Sequence, residues 1–262
     1  MTSVHTARAH CGQYLYVLGH GSTWQNNELR YSLRSLDAFC PARKQVYIAG
    51  EKPEWIDWNR QDVAHIPLPE TNANKVQRVG RKLIGALPYL REQDFVFMND
   101  DFILTRLHDC PGGFYWGRRH RGTVLSHMNQ VKAHYVTPRV STAEHGAQYF
   151  RSMKRSYDRL TEAGCREPLG FNIHEPIDLC VDLVLTTGAF CPFWEGYSFR
   201  ILYGNLHASD EDRARPPVFD MKVRQPQEIR PEWWSISLAS NVEDPVRVWL
   251  EKQFPKKSRW ER

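Results

Sequence analysis

The chain has no run of about eighteen or more apolar residues, so no membrane-spanning helix is expected. Met1–Gln13 lacks the apolar core of a secretory leader. Its six cysteines (Cys11, Cys40, Cys110, Cys165, Cys180 and Cys191) include no C-x-x-C pair. That spacing argues against zinc and for reduced thiols in a cytoplasm. G-x-G-x-x-G and the P-loop lysine pattern are both missing, which argues against a standard dinucleotide or Walker site. There is no internal repeat, low-complexity tract or flexible linker, so one composite domain of 262 residues is expected.

What the chain has is aromatic residues and an uneven charge. Nine Trp, twelve Phe and eleven Tyr give material for a large core. Between Arg118 and Arg166, ten Lys/Arg face three acids, a local +7, so the rest of a +5 chain nets −2. A second basic cluster (Lys252, Lys256, Lys257, Arg259 and Arg262) ends the sequence. Such concentration fits an anionic partner, either a phosphate-bearing donor or a nucleic acid, and fits a solvated helix face equally well.

Hydrophobic periodicity sets out the first hundred residues. Tyr14–Leu18, Gln45–Ala49, Val63–Ile66 and Phe95–Met98 read as strands. Glu28–Phe39 and Lys75–Leu87 read as amphipathic helices between them. This alternation predicts an α/β fold with a mostly parallel sheet and crossover helices over the first 105 residues or so. The second half is less regular. Asp109–Gly122 and Arg166–Pro176 read as loops, Ser141–Gly164 as a helix capped by Ser141, and Asp244–Phe254 as a last helix.

The most informative segment is Phe95-Val96-Phe97-Met98-Asn99-Asp100-Asp101. Buried strands do not ordinarily end in two adjacent acids, and side-by-side carboxylates repel. Mg²⁺ or Mn²⁺ would relieve that repulsion, at the strand end where open α/β sheets hold ligands. The same residues also suit a turn or a helix N-cap.

Other candidates gather around this one. Gly19 and Gly21 permit close backbone approach, and Asn26, Asn27 and Glu28 open a helix whose N-terminus favours phosphate. Arg30 and Arg34, one turn apart, and Lys75 are phosphate candidates, or ordinary surface cations. His174 with Glu175 before Pro176 suits a general base. His207 is a candidate metal ligand or an exposed loop residue. Asp220 and Lys222 share one face of a strand-like stretch. Phe114, Tyr115 and Trp116 precede Arg118, Arg119 and Arg121, an interleaving that suits nucleic acid, a sugar, or a core strand followed by a solvated turn.

Asn27-Glu28-Leu29-Arg30-Tyr31-Ser32-Leu33-Arg34-Ser35-Leu36 resembles a segment of the Stealth-type sugar-phosphate transferases. Met98-Asn99-Asp100-Asp101-Phe102 is similar to their acidic block, and His174 with Pro176 to their H-x-P block. The same segments resemble small bacterial and phage-encoded glycosyltransferases of the GT-A fold, although Asn99 stands where a D-x-D pattern has its first acid. The resemblance implies a GT-A-like fold, with residues 1–105 binding a nucleotide-sugar, most simply a UDP-sugar such as UDP-glucose, and residues 106–262 binding an acceptor. It implies that Asp101 holds Mn²⁺ or Mg²⁺, with His207 a further candidate. Asp100 would contact the metal or a sugar hydroxyl. Gly19, His20, Gly21, Ser22 and Asn27 would line the nucleotide, and Arg30 or Lys75 would contact phosphate. His174 or Glu175 would deprotonate the acceptor. DNA carrying a hydroxymethylated base such as 5-hydroxymethylcytosine is one acceptor that fits Trp116, Arg118, Arg119 and Arg121, and a saccharide is another. Transfer of sugar-1-phosphate and non-catalytic nucleic-acid binding are the alternatives.

Overall fold

The computed structural model describes residues 12–20, 22–40, 45–106, 118–125, 128–129, 143–171, 174, 176–208, 222–230, 233, 235–238, 242 and 244–262. Four strands run parallel at its centre: β1 (Gln13–Leu18), β2 (Gln45–Gly50), β3 (Val63–Ile66) and β4 (Asp94–Met98). β5 (Phe102–Leu104), β6 (Arg118–Thr123) and β7 (Leu169–Phe171) follow, and then β8 (Ile177–Cys180). β8 joins the central sheet antiparallel to β4, giving the order β3-β2-β1-β4-β8.

Side chains in each strand alternate between two cores because successive Cβ atoms point to opposite faces. Tyr14, Tyr16 and Leu18 of β1, with Val96 and Met98 of β4, pack against α1 (Asn27–Phe39). α1 presents Leu29, Leu33 and Leu36 at helical spacing, all fully buried. Burying each such side chain is worth roughly 1.5–3 kcal/mol as an upper bound. Leu15, Phe95 and Phe97 face the other way, toward α2 (Lys75–Ala86) and α3 (Ala143–Glu162). α4 (Val181–Phe190) and α5 (Phe199–His207) complete that layer.

The connections explain where a ligand would sit. From β1 the chain crosses through α1 to β2 on one side, and from β3 it crosses through α2 to β4 on the other. The strand order therefore reverses between β1 and β4. In open α/β sheets the crevice outside the strand carboxyl ends at such a reversal is the binding site.

A second sheet supports the far side of α1. β5 pairs antiparallel with β10 (Ser235–Leu238), which pairs parallel with β9 (Lys222–Val223). Two buried serines fasten α1 to β5: the Ser32 hydroxyl donates to the Phe102 carbonyl, and Ser35 Oγ accepts from Leu104 N–H at 2.9 Å. The last helix, α6 (Asp244–Gln253), packs Val246 and Leu250 into this third core. The segment beyond it bridges back, Glu261 pairing with Ile56.

Several sequence expectations are corrected. Asp109–Gly122 is not all loop, because Arg118–Thr123 is a strand paired with Leu169–Phe171, itself read as loop. His207 ends a helix rather than lying in a loop. The helix expected over Lys75–Leu87 ends at Ala86 and continues as a 3₁₀ turn over Leu87–Tyr89, where Pro88 sits. Ser141 and Asp220 lie outside the described residues.

Candidate active site

The Asn99–Asp101 turn lies at the crevice. Phe102 N–H donates to the Asn99 carbonyl at 3.3 Å, closing the turn. Asp101 is fixed from β10: its carbonyl accepts Leu238 N–H at 2.9 Å, and Oδ2 accepts the Ser237 hydroxyl at 2.7 Å. Its Oδ1 is buried with no hydrogen-bond partner. A buried acceptor left bare is uncommon and costly.

The Asp100 carboxyl is pushed up to about 7 by burial first and then by the neighbouring Asp101 charge. Lys75 opposes this shift and Glu28 adds to it. The fold thus brings together Asp100, Asp101 and Lys75, all candidates from sequence, with Glu28, which the sequence marked only as part of a helix start. Lys75 opens α2 behind a capping box, in which Asn74 Oδ1 accepts Gln77 N–H at 3.0 Å. Two adjoining carboxylates, one with a bare buried oxygen, suit a hard divalent cation. Among the described residues no cluster of three His, Cys, Asp or Glu forms a metal site.

The β1–α1 turn borders the same crevice. Ser22 Oγ accepts from Trp24 N–H at 3.1 Å and Asn26 N–H at 2.9 Å, and donates to Glu28 at 2.7 Å. Glu28, only 7% exposed, therefore places a carboxylate at the α1 N-terminus that sequence reading had assigned to a phosphate. Asn27 is the first residue of that helix. Gly19 lies beside Glu70, which accepts His20 N–H at 3.3 Å. Glu70 also pairs with Lys82, whose Nζ donates to the Leu18 carbonyl at 2.7 Å. Gly50 has φ +113°, and a Cβ there would meet that same carbonyl at 2.1 Å.

Arg30 is engaged elsewhere. Its Cζ lies 4.7 Å from the Trp55 ring centroid and its Nε 3.5 Å from Glu261. Arg34 forks onto the same Glu261, with both contacts at 2.7 Å. This stripe of α1 faces the C-terminal segment.

His174 is half-buried between β7 and β8. Because Ile177 pairs with Phe97, the chain enters β8 at the end of the sheet that carries Asp100 and Asp101. His207 lies toward the opposite end. α5 starts with Arg200 over the Phe97 and Phe102 rings, at 5.7 and 5.8 Å. It then passes Tyr203, whose hydroxyl accepts the N–H of Cys180, the partner of Asp94 at the start of β4. It ends with His207 Nε2 at 2.9 Å from Thr187 Oγ1. The structure does not bring His207 to the acidic pair. Gly21, Trp116 and Glu175 lie outside the described residues; Arg118, Arg119 and Arg121 belong to β6.

No family model matches the chain, and neither does any curated protein. Among solved structures it is similar to galactosyltransferase LgtC in complex with donor and acceptor sugar analogues. The identity is 8%, the match covers 94% of this chain and 98% of the other, and the TM-score is 0.50. An active-site variant of LgtC matches over the same shares at a TM-score of 0.47. Glycosyltransferase GlyE of Streptococcus pneumoniae TIGR4 matches 41% of this chain and 29% of its own, at 14% identity and a TM-score of 0.30. The mostly parallel sheet flanked by helices is a GT-A glycosyltransferase fold.

Proposed function

We propose that this protein is a glycosyltransferase that moves a sugar from a nucleotide-sugar, most simply a UDP-sugar, onto an acceptor hydroxyl. The observation that carries the reading is the acidic pair at the strand-order reversal, with Asp101 Oδ1 buried and bare and Lys75 acting on Asp100. Asp100 and Asp101 would hold Mg²⁺ or Mn²⁺, which would draw charge off the leaving diphosphate. Lys75, at the α2 N-terminus, would bind the same diphosphate. His174 or Glu175 would take the proton as the acceptor oxygen bonds to the anomeric carbon and the bond from that carbon to the diphosphate breaks. Trp116, Arg118, Arg119 and Arg121 would bind the acceptor, for which DNA with a hydroxymethylated base and a saccharide are the two candidates.

The resemblance of Asn27–Leu36 to sugar-phosphate transferases supports a second outcome from the same donor site, transfer of sugar-1-phosphate. Mass spectrometry after incubating nucleotide sugars and Mn²⁺ with hydroxymethylated DNA or simple saccharides separates the two. A sugar mass on the acceptor is expected, and a sugar-phosphate mass would replace it with the second reading. Absence of both products and of any UDP release, alongside salt-sensitive DNA binding, would leave a non-catalytic nucleic-acid-binding protein.

A further inference from the structure

Gln25 and Asn26 lie consecutively in the left-handed region, with φ 54° and 59°. Asn visits that region readily but Gln does not, so the surroundings must hold Gln25 there. Ser22 supplies two hydrogen bonds from within the turn. The third hold comes from outside it. The Trp24 ring stacks on Tyr31 of α1 at 5.5 Å and 18°. Arg247 of α6 also lies over the Trp24 ring, with Cζ 5.0 Å from its centroid, and Arg34 lies 5.1 Å from the Tyr31 ring.

The result is a ladder, Arg247–Trp24–Tyr31–Arg34, whose lower rung is anchored by Glu261 and by the Phe254 carbonyl at 3.1 Å. Arg247 Nε is buried without a hydrogen bond, and its Nη1 is 3.8 Å from Asp244. Arg247 therefore meets Trp24 as a cation over an aromatic ring, and its ion pair with Asp244 is a loose one. Within the turn that this ladder braces, Asn26 is 8% exposed and its Oδ1 has no partner.

We propose that Arg247 is a positioning residue for the donor site: through Trp24 it holds the β1–α1 turn in its left-handed form, so that Asn26 and Glu28 are fixed before the nucleotide arrives. The donor part of this rests on the function proposed above. Preorganisation of this kind appears in donor affinity rather than in the chemical step, because the turn is ordered before binding.

Two variants test it. Arg247→Met removes the charge and keeps the alkyl stem, and Arg247→Lys keeps a cation. In hydrogen exchange, the Trp24 and Asn26 amides are expected to exchange faster in Arg247→Met than in wild type, with Arg247→Lys in between. For the donor, Arg247→Met should raise the UDP dissociation constant and the donor KM about five-fold while kcat stays within about two-fold. A melting temperature lowered in Arg247→Met with unchanged exchange and UDP affinity marks a merely structural role and overturns the proposal. So does a fall in kcat at constant KM. Wild-type protein that binds no UDP, with Mn²⁺ present, overturns the donor reading and the donor role of Arg247 together. The exchange comparison then still decides whether Arg247 holds the turn.

Discussion

Asp101 is held on one oxygen and bare on the other. Ser237 fixes Oδ2, so the direction of Oδ1 is set by a hydrogen bond and not by a flexible rotamer. Asp101→Asn should keep the Ser237 contact and remove the charge, leaving the melting temperature close to wild type. Turnover, read as UDP release from a UDP-sugar, should fall roughly a thousand-fold, as when a transition-state charge contact is lost. Turnover near wild type would remove Asp101 from the metal role. The pair was legible in sequence because two acids follow a fully apolar strand. Glu28 was not, since nothing local indicates that the Ser22 hydroxyl will seat its carboxylate beside Asp100. The Arg30 contact was equally hidden, because its partner Glu261 lies near the far end of the chain.

The elements legible in sequence are those with clean periodicity: β1 to β4, α1 to α3 and α6. β8 and α4 were not, because the apolar run Ile177–Leu185, broken only by Asp178 and Asp182, passes from strand to helix with no Gly, Pro or cap between them. β6 reads Arg-Arg-His-Arg-Gly-Thr and carries no strand-like alternation, and β7 is only three residues long. Both exist because they pair with each other and because α5 packs on β7. That packing is close: a Cβ on Gly204 would come within 2.4 Å of the Phe171 ring. Gly204→Ala should therefore force α5 off β7 and cost about 1–3 kcal/mol, read as a lowered thermal midpoint. Phe171 is three residues before His174, so the same substitution should also lower turnover with donor affinity retained.

At the scale of the molecule, the C-terminal basic cluster is partly structural. Arg259 pairs with Asp37 at 2.6 Å, and Lys257 donates to the Arg262 carbonyl. Glu261 lies at the centre, its side chain only 3% exposed. Burial raises its carboxyl, but the Arg34 fork and the Ser258 N–H outweigh that and hold it below the usual carboxylate range. A carboxylate depressed in the folded state stabilises above its unfolded value and loses that contribution as pH falls through its folded one. Glu261→Gln should cost about 3 kcal/mol at neutral pH. The gap from wild type should hold down to about pH 4.5 and close below it, which melting curves across pH will show.

The fork between Arg34 and Glu261 joins residues 227 apart, and the Arg259–Asp37 pair spans 222. During synthesis α1 precedes these partners by that length of chain, so one face of it waits for its charge partners and for the buried Trp260. Closing so long a loop delays the reward for folding, and such chains mature slowly and late. Until Glu261 follows, Arg34 lacks its carboxylate and that face of α1 stays uncovered, whereas the acidic pair waits only on β10.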